Sequence, residues 1–98
     1  MMEDAELLLS ESVKTLRLVQ GDAHPNTLSS IHNFAGLLWK QGRLDEAEAL
    51  FRETVAGLRL ALGAMHASTQ RSAADLKSLL DKKAEQGARP VKQRHVPM

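Results

Sequence analysis

The chain repeats itself. Residues 3–44 and 45–86 align without a gap at an offset of 42, and 15 of the 42 aligned pairs are identical. Self-similarity at a period between about 20 and 50 residues is the mark of a chain built from stacked, equivalent units, each of which needs its neighbours to cover its apolar face. The matched pairs include Ala5/Ala47, Leu8/Leu50, Leu16/Leu58, Gly21/Gly63, His24/His66 and Thr27/Thr69. Most are apolar or small, so what recurs is a packing surface.

Composition narrows the kind of unit. A chain of 98 residues holds at most one domain and buries only roughly 60–65% of its unfolded surface. Hydrophobic residues make up 43%, yet there are two Phe, one Trp and no Tyr, so packing must come from Leu, Ala and Val, as between close-set helices. The absence of Cys removes disulfides, thiolate metal sites and a cysteine nucleophile. Thirteen basic and twelve acidic side chains give a net charge of +1, too balanced for a nucleic-acid or membrane footprint. Apolar stretches such as Leu7–Leu9 and Phe34–Trp39 fall far short of the roughly 18 residues of a membrane span. The acidic start, Met-Met-Glu-Asp-Ala-Glu, is unlike a secretory signal. A soluble protein of the cytoplasm is expected.

The spacing predicts four helices. Residues 3–20 carry Ala5, Leu8, Leu9, Ser12, Val13, Leu16 and Val19 or Gln20 at steps of three and four, with Gly21 as the stop. Pro25 suits a first helical position, and a second helix over about 25–41 buries Leu28, Ile31, Phe34, Ala35, Leu38 and Trp39. Gly42 ends it with a positive φ. The connection Gln41–Leu44 is so short that a third helix, about 45–62, folds back antiparallel. It buries Ala47, Leu50, Phe51, Thr54, Val55, Leu58 and Leu62 and stops at Gly63. A fourth helix, about 67–86, has Ala67 in place of the proline and Ser68 or Thr69 as its expected cap. From Gly87 the tail has two prolines, dispersed basic groups and no apolar period, which predicts a disordered basic tail over 87–98.

The stretch Asn33-Phe34-Ala35-Gly36-Leu37-Leu38-Trp39-Lys40-Gln41-Gly42-Arg43-Leu44-Asp45-Glu46-Ala47 resembles a tetratricopeptide repeat. The 42-residue period and the connector Gly21-Asp22-Ala23-His24-Pro25-Asn26-Thr27 are similar to the long form found in kinesin light chains and nephrocystin-type proteins. The resemblance implies an all-α fold: a fragment of a right-handed helical solenoid with four antiparallel helices. Its phase divides 1–86 into a half repeat at 3–20, a full repeat at 26–62 and a half repeat at 67–86. Lys77, standing where Ala35 permits close helix approach, predicts a capping last helix, and Leu7–Leu9 predict a first helix that lacks a mate.

The resemblance also implies a function. In such solenoids the first helix of each hairpin lines a concave, partner-binding face, which here places Ser29, His32, Asn33, Gly36, Trp39 and Lys40 on that face as peptide contacts; their spacing of three and four agrees. Asn33 can meet a peptide backbone, Lys40 a carboxylate, and Gly36 leaves room for a side chain. Trp39 is either a contact or a core residue. The equivalent surface of the last helix offers Arg71, Ala74, Asp75, Ser78, Asp81 and Lys82. The expected function is a protein-interaction module binding a peptide or helix of a protein partner, with self-assembly through the open first helix as the alternative.

Chemistry is not expected. His24 and His66 occupy equivalent loops on successive repeats and do not converge on a metal, and capping or bracing of the connector is the expected role. The acidic clusters Glu3/Asp4/Glu6 and Asp45/Glu46/Glu48 begin helices, where negative charge is favoured. No phosphate loop or nucleophile elbow occurs. Neither an enzyme nor a bound cofactor or metal is predicted, and neither nucleic acid nor membrane is an expected partner.

Overall fold

The computed structural model describes the backbone of residues 2–95 and the side chains of residues 4–86. It contains four helices: α1 (Met2–Gln20), α2 (Pro25–Lys40), α3 (Leu44–Leu62) and α4 (Ala67–His95). Each packs against the next in chain order, which is the antiparallel, one-after-another arrangement that short connections enforce.

The two long connectors are built alike. Gly21 and Gly63 take φ of 93° and 96°, a region open to glycine at little cost. Each donates its N–H to carbonyls of the preceding helix, Gly21 to Leu16 and Arg17 and Gly63 to Leu58 and Arg59. His24 then accepts at Nδ1 from the Asn26 N–H at 3.0 Å, and His66 does the same for Ser68 at 3.0 Å. These imidazoles cap α2 and α4 by satisfying a first-turn donor that lacks a partner within its helix. The expected Ser68 or Thr69 cap is therefore replaced by His66. Ser68 supplies the donor, and the Thr69 hydroxyl is buried without a partner. The tight turn between α2 and α3 closes with Gly42 at φ 81° and an Arg43 N–H to Leu38 O bond of 2.9 Å, the six-to-one bond that ends a helix on a left-handed residue.

Two apolar clusters make the core. Ala35, Leu38, Ala47, Phe51 and Leu79 join α2, α3 and α4, while Val13, Leu28, Ile31 and Leu58 join α1, α2 and α3. Ala35 and Ala47 have no exposed surface, consistent with their place at the hairpin's closest approach.

Ion pairs repeat with the period of the chain. Arg17 makes a bidentate pair with Glu53 at 2.6 and 3.0 Å, tying α1 to α3, and paired hydrogen bonds of this kind fix orientation as well as attraction. Glu6 accepts from Gln41 and Arg43, and Glu48, one period on, accepts from Lys83.

Leu8 and Val19 of α1 are 68% and 74% exposed, and Ser12 is exposed with them; no described helix lies on that side of α1. Elsewhere the structure departs from expectation. Val55 is only partly buried. The backbone of α4 stays helical beyond residue 86 to His95. Ala88, Arg89, Lys92, Gln93 and Arg94 are good helix formers, although Pro90 removes the bond to the Gln86 carbonyl. Of the stretch 87–98 expected to be a disordered tail, the side chains of 87–95 and all of 96–98 lie outside the described residues.

Candidate functional site: a groove between α2 and α4

The two first-position helices, α2 and α4, flank a groove with two adjoining hollows. One, of about 700 Å³, is lined by His32, Asn33, Gly36, Trp39 and Lys40 from α2 and by Arg71 and Asp75 from α4. The other, of about 300 Å³, carries Ser29, His32 and Asn33 beside Arg71 and Ser72. All six residues singled out in the sequence thus line one continuous surface. It forms because α2 presents every third or fourth residue to the same side, while the opposite side of the helix, with Leu28, Ile31 and Ala35, is consumed by the core.

The six are not alike in availability. Asn33, Lys40 and Ser29 are exposed. A methyl group added at Gly36 would meet nothing within 4 Å, so the groove has open space above that position. Trp39 lies between core and groove: its ring stands edge-on to the buried Phe51 at 6.0 Å and 85°, and it borders the larger hollow. An aromatic anchored along one edge keeps its other surface fixed for contact.

His32 is already engaged. Its Nδ1 lies 2.9 Å from the Ser72 hydroxyl and its Nε2 3.1 Å from Asp75 Oδ2, and its ring stacks edge-on against Phe51 at 5.2 Å. A neutral ring serves both bonds, with Ser72 donating to Nδ1 and Nε2–H donating to Asp75. Burial pushes its pKa below the ordinary imidazole value, Asp75 pulls the other way, and the Arg71 charge adds to the lowering. A serine, a histidine and an aspartate in line suggest a hydrolytic relay, yet Ser72 is only 3% exposed. The network ties α2 to α4 and shapes the groove floor.

Sequence reasoning placed Arg71 and Asp75 on the equivalent face of the last helix but gave their partner role to α2 alone. The structure brings both into the groove, whereas Ala74, Ser78, Asp81 and Lys82 do not line it. The signal was the repeat itself, since Asp75 occupies the position of Asn33 one period later. Among the described residues no group of three His, Cys, Asp or Glu side chains is placed to hold a metal ion, and no described helix is long and apolar enough to cross a membrane.

No curated protein sequence matches the chain. Residues 27–68 match the family model of the tetratricopeptide repeat, a stretch running from α2 through α3 into the first turn of α4. Repeats of this family generally mediate protein–protein interaction. Hairpin, connectors and family match agree on the fold: an all-α helical repeat fragment in which residues 27–68 are similar to the tetratricopeptide repeat.

Proposed function

We propose that the α2–α4 groove binds an extended segment of a protein partner, making the chain an interaction module. The observation that carries this reading is the convergence of Asn33, Gly36, Trp39 and Lys40 with Arg71 around one hollow of about 700 Å³. The roles follow from chemistry. Asn33 offers both a donor and an acceptor to a peptide bond. Lys40 and Arg71 are cations facing a groove whose one carboxylate, Asp75, is held by His32, so an acidic side chain or a terminal carboxylate is favoured. The space above Gly36 admits a partner side chain beside the Trp39 ring. The 42-residue period and the connector motif support the long, kinesin-light-chain-like form of the repeat.

The test is capture from a peptide library by the native chain and by Asn33→Ala, Lys40→Ala and Gly36→Leu, the last filling the hollow from a position where the chain itself offers no collision. Binding should weaken at least about tenfold in each, about 1.4 kcal/mol. Equal capture by all four proteins ends the proposal.

A further inference from the structure

Three residues line both hollows of the groove: Asn33, Arg71 and His32. Of these, His32 alone carries a group that changes charge near neutral pH. Its ring is held so that either state finds partners. With one proton, Nδ1 accepts from the Ser72 hydroxyl at 2.9 Å and Nε2–H donates to Asp75 Oδ2 at 3.1 Å. With two, both nitrogens donate, and both already face an oxygen that accepts. Only the Ser72 hydroxyl proton must turn, toward a carbonyl of its own helix, the acceptor that a helical serine ordinarily finds. Protonation thus needs no movement of α2 against α4.

The charges around the ring determine what that proton does. α4 faces it with Asp75 and Arg71, and α3 with the uncharged Phe51. On α2 itself the one other charged side chain is Lys40, which lines the larger hollow. Lys40 and Arg71 set against Asp75 leave the groove one positive charge while the ring is neutral, and two when it is protonated. The added charge falls where the two hollows meet. Burial resists the proton, Asp75 favours it, and Arg71 adds to the resistance. An anionic segment in the groove would supply a second favourable charge beside Asp75. By reciprocity, a segment that tightens the hold on the proton is itself held more tightly when the proton is present.

We propose that the groove is gated by a proton: uptake at His32, clasped between Ser72 and Asp75, strengthens its grip on an anionic peptide segment as the medium turns from neutral to mildly acidic. This regulation rests on the reading of the groove as a peptide site.

Hexa-aspartate is the probe, because aspartate carboxylates ordinarily titrate near 3.9 and stay ionised at about pH 5.5; hexa-asparagine is the uncharged control. Calorimetric titration of the full chain should show affinity for hexa-aspartate rising at least about fivefold from about pH 7.5 to about pH 5.5, the low end of couplings between sites. Hexa-asparagine should gain nothing. His32→Gln should lose the rise, although His24, His66 and His95 still titrate in it as they do in the native chain. In the native chain, proton NMR should show the His32 ring titrating at higher pH with hexa-aspartate than without. Binding that is equal at the two pH values overturns the gate and leaves the groove reading standing. An equal rise in His32→Gln also overturns it, assigning the effect to the other histidines. So does loss of helical circular dichroism at the lower pH, where the ring would gain its proton by unfolding. No binding of hexa-aspartate at either pH overturns both the gate and the preference of the groove for acidic segments.

Discussion

Gly36 and Gly57 sit in the interiors of α2 and α3, and the structure sets them opposite fates. Replacing either by alanine gains about 0.8–1 kcal/mol of helix propensity. At Gly36 nothing lies within 4 Å of the new methyl, so Gly36→Ala should stabilise the chain by about that amount, which raises Tm by roughly 4–8 °C in a domain of this size. At Gly57 the methyl would stand 2.6, 2.8 and 3.3 Å from Leu28 Cδ2, Cδ1 and Cγ, well inside the roughly 3.5–4.0 Å of favourable carbon contact. Leu28 is 1% exposed and packed with Val13, Ile31 and Leu58, so it cannot swing into solvent. Overpacking of this kind costs about 1–3 kcal/mol. Gly57→Ala therefore ends between neutral and about 2 kcal/mol destabilised, and the two variants differ by about 1–3 kcal/mol. Urea and thermal denaturation followed by helical circular dichroism measure both. A double variant, Gly57→Ala with Leu28→Ala, isolates the contact, since removing the leucine should cancel the penalty and appear as coupling. If Gly57→Ala stabilises as much as Gly36→Ala, or if the cycle shows no coupling, the close seat of Leu28 against α3 is wrong.

Three further outcomes are expected. His32 is held neutral in the folded chain, so the unfolded chain takes up its proton first; stability is full above the ordinary value of 6.5 and declines as pH falls below it. His32→Gln should flatten the stability profile between about pH 7 and 5, above the 4.5 at which Glu6 and Glu48 ordinarily titrate, and an unaltered slope would refute the burial of the ring. Arg17→Met should cost about 0.5–1 kcal/mol, the range for a partly exposed pair, and the difference from the native chain should shrink in about 1 M salt, where charges are screened within about 3 Å; a salt-independent loss would assign Arg17 to packing alone. His66→Ala should cost about 0.5–2 kcal/mol through loss of the α4 cap, whereas Ser68→Ala, whose side chain caps nothing, should leave the melting curve in place; the reverse ranking would restore Ser68 as the cap.

Much of the frame was legible in the chain because its causes are local. Gly21, Gly42 and Gly63 end helices through their own φ, the apolar steps of three and four mark each buried side, and the 42-residue offset names which helices are equivalent. The cap of α4 was expected at Ser68 or Thr69, the usual residue types, but in both connectors the turn sets the imidazole two residues before the open N–H, and histidine fills the capping role that its repetition had suggested. The groove was half legible: the α2 residues follow from one helix face, while Arg71 and Asp75 join them only through the way α4 lies against α2.

What the sequence determined by itself is therefore the all-α repeat and the line of polar residues along α2, since each depends on spacing within a few turns of chain. Tertiary structure alone decided that His32 is clasped by Ser72 and Asp75, that Arg17 grips Glu53, that Trp39 is at once core and rim, and that Leu8 and Val19 face outward. The His32 and Arg17 contacts join residues about 40 apart in the chain, Trp39 meets Phe51 across the α2–α3 turn, and the exposure on α1 turns on what lies beside that helix. All depend on the offset between stacked helices, which no periodicity within one helix encodes.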